Sequence, residues 1–371
     1  MDFPFPVVET TEGAARLLVP NVPHRSGPAT AGPWPFYNPT MAVNRDLSAI
    51  VLRRWPQPLN SVLDGLAATG AWGIRMALEA DVRVLTLNER SEVAVDLIRE
   101  NVRRNHLDAD IRAGDLRRRL SEGAYDFVDI DPFGPPTPFL PAAFGAPEVA
   151  GGIGVTATDT AVLCGTYPDA CQRRYDARPL RCPQGAEIGL RILIGYCARL
   201  AATRGQSIRP ILAFAAEHFV RVLLIVDPKS RRPSLGRVIR AGPGRFVPVS
   251  GPAGDSIGPL WLGPLSSSEI LAELSPTAWT SGGSARLLAS LQTESDGAPF
   301  FVTTDELAAE ERGSPPKLER FMAGLREIGY RATRTHFHPR GIKTDAPPED
   351  VRRVFRDRAP SGSTDGSMPA S

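Results

Sequence analysis

The sequence predicts an α/β fold, an open, mostly parallel, Rossmann-like sheet of seven strands with helices on both faces, followed by a smaller α+β domain. Three observations predict it. Between residues 40 and 226, apolar strand-like runs alternate with helical stretches, the pattern that builds a parallel sheet. Two apolar runs, 208–215 and 219–226, lie too close together for a helix between them, so they must pair antiparallel at one edge of the sheet. Beyond residue 265 helical stretches dominate and one strand-like run, 330–337, follows them.

Taken in order, residues 44–55 read as a helix and 61–66 as a short apolar strand. A helix over 72–80 and a strand over 82–87 come next. Residues 91–105 form the clearest amphipathic helix, with Val93, Leu97, Ile98 and Val102 on one face. Residues 111–113, 125–130 and 152–156 are further strands, and 186–202 a helix. The edge hairpin suggests the sheet of a class I S-adenosylmethionine methyltransferase more than that of a dinucleotide dehydrogenase. Residues 20–39 hold six prolines and read as loop. Residues 227–264 read as a linker or an irregular, turn-rich module, and 358–371, rich in Ser, Gly and Pro, as a disordered tail. The domains expected are 1–226, 227–357 and that tail.

Composition narrows the function classes. The 371 residues are 42% hydrophobic and 23% charged, an ordinary globular mix that excludes a disordered, collagen-like or coiled-coil chain. No run approaches the 18 apolar residues of a membrane span. The start, Met1-Asp2-Phe3-Pro4, lacks the basic region of a signal peptide. The net charge is +2, and nearly all basic residues are Arg, the lysines being Lys229, Lys317 and Lys343. Arg suits bidentate phosphate contacts, but codon bias in a GC-rich genome is the plainer explanation. The cysteines Cys164, Cys171, Cys182 and Cys197 form no C-x-x-C pair, which argues against a zinc ribbon and for reduced thiols in the cytoplasm.

The first strand runs into Asp64-Gly65-Leu66-Ala67-Ala68-Thr69-Gly70-Ala71-Trp72-Gly73, a small-residue loop leading into a helix N-terminus. Such a loop lets backbone N–H groups approach a ligand, but it lacks the G-x-G-x-x-G spacing and is weak evidence alone. The next strand ends at Glu89, about 20 residues on, where a carboxylate accepts hydrogen bonds from ribose hydroxyls. Gly114-Asp115-Leu116 then places a carboxylate that can take an adenine amine. The plain alternatives are a helix-entry acid for Glu89 and a cap for Asp115. Three such features in order point to an adenosine-type ligand.

The strand over 125–130 ends in Asp129-Ile130-Asp131-Pro132-Phe133-Gly134. Methylating an amine needs its lone pair free and a proton removed, and a carboxylate hydrogen-bonded to the amine serves both needs. An adjacent aromatic can stack on a planar base. A structural Asp-Pro turn is the alternative. Between Lys317 and Lys343 there are seven Lys or Arg against two Glu, with His336, His338 and three aromatics interleaved. Such a stretch fits RNA phosphates and exposed bases; a solvated helix face is the plain reading.

With these residues in view, the chain resembles the tRNA (guanine-26, N2)-dimethyltransferases, above all the archaeal ones, from about residue 7 to residue 347. The resemblance rests on Glu12-Gly13, Phe36-Tyr37-Asn38-Pro39, Asn44-Arg45-Asp46-Leu47-Ser48, Gly73-Ile74-Arg75, Asp131-Pro132-Phe133-Gly134 and Thr156-Ala157-Thr158-Asp159-Thr160-Ala161. Arg221-Val222, Gly258-Pro259-Leu260-Trp261-Leu262-Gly263, Thr335-His336 and Gly341-Ile342-Lys343 extend it. It implies S-adenosyl-L-methionine as cofactor and tRNA as partner. The cofactor would be held by Asp64 and Gly70 of the loop, by Arg45 and Arg75 at its methionine end, by Glu89 at the ribose, and by Asp115 and Leu116 at the adenine. Asp131, Pro132 and Phe133 would be catalytic, Asp131 engaging the guanine N2 amine. Phe36, Asn38, Thr158, Asp159, His336 and Lys343 would contact substrate. Many relatives carry four zinc-binding cysteines before Gly-Pro-Leu-Trp; residues 227–260 here have none, so no metal is expected. A monomer is expected. The rival readings are another exocyclic-amine methyltransferase, acting on adenine or a protein glutamine, and a non-catalytic tRNA-binding protein.

Overall fold

The computed structural model describes residues 3–21, 34–145, 151–229, 231–251, 254–295 and 297–360. The chain opens with an antiparallel hairpin, β1 (Val7–Glu12) and β2 (Ala15–Pro20), that the sequence reading missed. There follow α1 (Ala42–Leu52), β3 (Ser61–Asp64), α2 (Ala71–Glu79), β4 (Val84–Glu89), α3 (Glu92–Arg104), β5 (Ala109–Ala113), α4 (Leu116–Glu122) and β6 (Phe127–Ile130). Next are α5 (Leu140–Ala143), β7 (Gly151–Ala157), α6 (Thr160–Leu163), α7 (Pro168–Tyr175), α8 (Gly185–Ala202), β8 (Ser207–Ala216) and β9 (Phe219–Asp227). The sheet runs β5-β4-β3-β6-β7-β9-β8. Its first five strands are parallel, and β9 pairs antiparallel with both β7 and β8. This is the seven-stranded sheet with an edge hairpin that the sequence predicts.

Local chemistry sets the elements. In α3, Ser91 accepts the Ala94 N–H at the start, Glu92 sits in the first turn, and Arg103 and Arg104 close the last, each matching the helix dipole. The central strands are buried on both faces; β7 has no exposed residue, as a doubly covered parallel sheet requires. One core packs β6, β7 and β9 against α8, and another packs α1 and α2 on the opposite face through Leu47, Val51, Trp55, Trp72 and Phe127.

The stretch expected to be irregular, 227–264, is instead a three-stranded antiparallel sheet of β10 (Leu235–Gly242), β11 (Arg245–Val249) and β12 (Ile257–Trp261), in the order β11-β10-β12. Its Gly and Pro residues punctuate short strands rather than abolish them, as Gly242-Pro243-Gly244 does between β10 and β11. Val238, Ile257, Leu260 and Trp261 join the core that contains α8. After it come α9 (Ser268–Glu273), α10 (Gly282–Glu294), β13 (Val302–Thr303), α11 (Thr304–Glu311), α12 (Leu318–Glu327), β14 (Ala332–Thr335), β15 (His338–Thr344) and α13 (Pro348–Arg358). The single strand expected over 330–337 is the first arm of a hairpin, β14–β15, with β13 on the other side of β15.

The expected domain boundary at 226/227 falls one residue before the end of β9, but the hydrophobic cores do not part there. Leu271, Leu274, Leu288 and Leu291 of the α9–α10 region share the core of α1. A separate core appears only over 302–355, around Phe321, Leu325, Ile342 and Phe355. Of the expected disordered tail, residues 358–360 are described and Arg358 ends α13; 361–371 lie outside the described residues. Among the described residues, no helix is long and apolar enough to cross a membrane, and no group of three or more His, Cys, Asp or Glu side chains is arranged to hold a metal ion.

Candidate active site

A cavity of about 520 Å³ opens at the carboxyl ends of β3, β4, β6 and β7, where open α/β sheets bind ligands. Its size suits a cofactor and part of a substrate. The wall on the β3–β4 side is the loop Leu66–Ala67–Ala68–Thr69 with Asp64, Ala71, Trp72, Glu89 and Arg90. Gly70 caps α2 at φ +78°, a conformation open to glycine without a Cβ clash. Glu89 shapes the loop: Oε2 accepts from Ala68 N at 2.9 Å, and Oε1 from Arg90 N and Ser91 N at 2.7 and 2.9 Å. With two donors on Oε1 and one on Oε2, the place left to accept a further hydroxyl is on Oε2. Asp64 is buried, and its Oδ2 accepts from Gly73 N at 3.0 Å. Burial and then the neighbouring Asp129 push its pKa well above the ordinary aspartate value.

The opposite wall is Asp131-Pro132-Phe133 with Phe36, Asn38, Tyr37, Phe139, Thr158, Glu217 and His218. Thr158 fastens this turn to the end of β7. Its Oγ1 accepts from Gly134 N at 2.7 Å, and its N–H donates to Gly134 O at 3.1 Å. Gly134 takes φ +78°, which turns the chain sharply after Phe133. Phe133 is 43% exposed and meets Phe36 edge-on, the ring centroids 4.7 Å apart. An exposed aromatic pair over a polar floor is a place for a flat base to lie. Asp131 Oδ2 accepts from Asn44 Nδ2 at 3.2 Å. Burial raises its pKa, and Arg221 and Arg45 offset that only in part. Asp129, one turn of the pleat earlier, is fully buried against Arg221 at 2.5 Å. Burial dominates there too, and its pKa is pushed up to about 6.

Of the residues singled out from sequence, the structure gathers Phe36, Asn38, Arg45, Asp64, Glu89, Asp131, Pro132, Phe133 and Thr158 around this cavity. Gly70 and Leu116 stand just behind the loop; Leu116 is buried, and its methyls lie where a Cβ on Gly65 would go. Asp115 is outside the lining. It caps α4, and Arg117 holds its carboxyl down to about 2. Arg75 is also outside. It is completely buried, paired with Glu79 at 2.7 Å, Asp46 at 2.8 Å and Glu12 at 3.1 Å. Arg45 reaches the cavity but is bound to Glu12 at 2.5 Å, and Glu12 also accepts from Tyr37 Oη at 2.8 Å. The β1–β2 hairpin that sequence reading missed brings Glu12 there, so both guanidiniums already have carboxylate partners.

Three of the residues expected at the substrate stand outside the cavity lining. Asp159 lies outside the cavity lining, bound to Tyr175 Oη at 2.7 Å and to Arg174 at 3.0 Å. His336 faces inward: its Nδ1 meets Glu294 of α10, and its Nε2 accepts from Ala215 N at 3.1 Å. Lys343 is buried, 3.4 Å from Glu187 of α8. Neither of these two presents itself to an RNA. The local charge excess around them is also answered by ion pairs: Asp305 of α11 takes Arg340, Asp345 just past the stretch takes Arg331, and Glu319 within it takes Arg334. Counting charges along one segment omits the acids that the fold brings from others.

Sequence reading missed Asn44, Tyr37, Trp72 and Phe139 as cavity or floor residues, and left Arg221 without a role. The signal for Arg221 was present: a lone charge inside the apolar run of β9 must have a buried partner.

The chain matches the family described as N2,N2-dimethylguanosine tRNA methyltransferase over residues 13–234 and 248–356. It is 37% identical to the tRNA (guanine(26)-N(2))-dimethyltransferase of Thermococcus kodakarensis, over 94% of this chain and 99% of that protein. It is 38% identical to the enzyme of the same name from Methanospirillum hungatei, over 92% and 97%. A solved structure of Trm1 from Pyrococcus horikoshii with S-adenosyl-L-methionine superposes with a TM-score of 0.83 at 35% identity, covering 95% of this chain and all of that one. Fold, cavity position and full-length similarity agree: the chain belongs to the N2,N2-dimethylguanosine tRNA methyltransferase family.

Proposed function

We propose that this protein transfers methyl groups from S-adenosyl-L-methionine to the exocyclic N2 of guanine 26 in tRNA, twice per base. The observation that carries the reading is one cavity with two chemically distinct walls. The Glu89 loop faces an adenosine-type ligand, and Asp131 with the Phe36–Phe133 pair faces a flat base. The residues fit the cofactor. Glu89 keeps Oε2 able to accept from a ribose hydroxyl, and the Leu66–Thr69 loop allows close backbone approach. Arg45 lines the same cavity, paired with Glu12, and would face the methionine end. When bound, S-adenosyl-L-methionine supplies an electrophilic methyl on a sulfonium.

The protein's own residues do the rest. Phe133 and Phe36 hold the base, which must leave its stack because N2 is a pairing atom. Asp131 accepts one N2–H, which orients the amine and gives a sink for the proton lost as each methyl is gained. N2 has two hydrogens. After one transfer one N–H remains for Asp131 to accept, and after the second none does, so the chemistry stops at two. An ionised carboxylate accepts and has nothing to donate, so it favours an amine over a carbonyl edge and disfavours a guanine O6 acceptor. The C-terminal core over 302–355, with β10–β12, would carry the tRNA through surfaces other than His336 and Lys343. We further propose a monomer working in the cytoplasm.

The test is incubation of unmodified tRNA transcript with labelled S-adenosyl-L-methionine, followed by nucleoside mass spectrometry with position mapping. N2,N2-dimethylguanosine at position 26 is the expected product. N2-methylation elsewhere moves the position, and transfer only to adenine or to a glutamine side chain would replace the substrate. No transfer with intact cofactor binding would leave a tRNA-binding protein.

Two outcomes follow for the site. Glu89→Ala removes hydrogen bonds to a charged acceptor worth about 1.5–3 kcal/mol each, so cofactor affinity falls at least about 10-fold, read by calorimetry. For pH, only ionised Asp131 accepts the N2–H, and its raised pKa moves that form to higher pH. The acid limb of log kcat/KM therefore falls away at a pH above the ordinary aspartate value of 3.8. A limb at or below that value would contradict it.

A further inference from the structure

Beneath the acceptor wall lies a polar group that the chemistry above does not use. Arg221 of β9 has no solvent exposure. It donates from Nη1 to Thr156 Oγ1 at 3.0 Å, and from Nη2 to Asp129 Oδ1 at 2.5 Å and Ser48 Oγ at 3.1 Å. The sheet makes room for it: Gly154 of β7 stands beside Asp129 in register, and a Cβ there would overlap both Asp129 Oδ1 and the Arg221 guanidinium. Ser48 Oγ in turn donates to Asn44 Oδ1 at 3.2 Å, and Asn44 Nδ2 donates to Asp131 Oδ2 at 3.2 Å. Asn44 Nδ2 also lies 3.5 Å from Thr156 Oγ1.

We propose that Arg221 is the positioning residue of the acceptor site. It fixes the direction of every hydrogen bond beneath Asp131, so that Asp131 is left as an acceptor for the guanine amine. The proposal rests on the N2-methylation reading.

The argument is one of donor inventory. A guanidinium has five N–H donors and no acceptor. Ser48 and Thr156 must therefore receive from Arg221 and point their own protons away from it. Ser48 has one place to send its proton, Asn44 Oδ1, and that choice orients the amide. Asn44 Nδ2 then faces Asp131, and the Thr156 proton is also free to turn towards Asp131. A neutral side chain in place of Arg221 lets both hydroxyls and the amide reverse, and a reversed Asn44 would present its carbonyl to Asp131. Such a site holds Asp131 best when Asp131 is protonated, the state in which it donates instead of accepting.

Charge adds a second handle. The groups facing Asp131 and its neighbour are Arg221 from β9, Arg45 from α1, Asp129 on the same strand, Asp64 from β3 and, on the far side of Asp64, Glu89 from β4. Two of these are cations. Removing Asp129 alone leaves the Arg221 charge to act on Asp131 unshared.

The test compares Arg221→Met, Arg221→Lys and Asp129→Asn with the unaltered protein, using single-turnover methylation of tRNA, cofactor affinity and thermal melting. Arg221→Met should lower the transfer rate by about 100-fold, the cost of a misplaced reacting group, while cofactor affinity changes less than about 3-fold. Arg221→Lys should recover part of the rate. Asp129→Asn should move the acid limb of the pH profile to lower pH. Equal loss of rate and cofactor affinity, an unchanged rate in Arg221→Met, or an acid limb unmoved by Asp129→Asn would each overturn the proposal. Should Arg221→Met fail to fold, Ser48→Ala and Thr156→Val break the same chain with the charge kept, and full rates in both would overturn it. If the unaltered protein methylates another acceptor, the substrate reading fails, and the same ratios on that acceptor still decide the role of Arg221.

Discussion

Asp131→Asn will lower the rate of methyl transfer to tRNA by about 100- to 10,000-fold, the range for losing a general base, while S-adenosyl-L-methionine binds within a few-fold of the unaltered protein. The change keeps the side chain's shape and its contact with Asn44, but an amide in place of the carboxylate neither takes a proton nor accepts on both of its polar atoms. It also removes one negative charge from a crowded group, since Asp64, Asp129 and Asp131 all have raised pKa values for which burial is the largest cause. The variant should therefore melt no lower than the parent. Single-turnover assays with saturating cofactor separate chemistry from binding. Full turnover in Asp131→Asn would remove this residue from the mechanism.

Glu187→Gln will destabilise the fold by about 3–5 kcal/mol, the penalty for leaving buried charges unpaired, measured as a shift in the urea midpoint. Glu187 has no exposure and lies on α8. Its Oε1 receives Arg191 at 2.8 Å, the Phe300 N–H at 2.9 Å and Lys343 at 3.4 Å. Burial opposes its ionisation, but Lys343 and Arg191 prevail and hold the carboxyl below the ordinary range. It thus joins α8, the segment before β13, and β15. Arg191 donates from Nη1 to the carbonyls of Trp261 and Gly263, which adds the end of β12 to the same knot. The double change Glu187→Gln with Lys343→Met should regain part of the loss, because it removes one of the stranded cations. A cost below about 1 kcal/mol for Glu187→Gln would mean that water already serves this carboxylate.

That knot also shows where a linear reading stops. Lys343 and His336 stand in a stretch with more cations than acids, and along the chain they look like RNA contacts. Their partners, Glu187, Glu294 and the Ala215 N–H, are at least 42 residues away, so no local pattern reveals that both side chains turn inward. The same holds for Arg75. A family motif marks it and Glu79 stands four residues on along α2, but only the β1–β2 hairpin and α1 bring Glu12 and Asp46 onto it.

The sequence by itself determined the seven-stranded sheet with its antiparallel edge, because the period of apolar residues and the lengths between runs are local quantities that a doubly wound sheet constrains tightly. It determined the Glu89 loop and the Asp131-Pro132-Phe133-Gly134 turn as well, because both sit at strand ends whose order in the chain sets their place in the sheet. Only the tertiary structure decided which charged residues face the cavity and which are spent on one another. It also decided that β10, β11 and β12 form a sheet on α8, and that Arg221 lies under Asp131. Each of those depends on pairing between distant segments, where burial makes a charge either partnered or prohibitive, and the partner's position is not written near the residue that needs it.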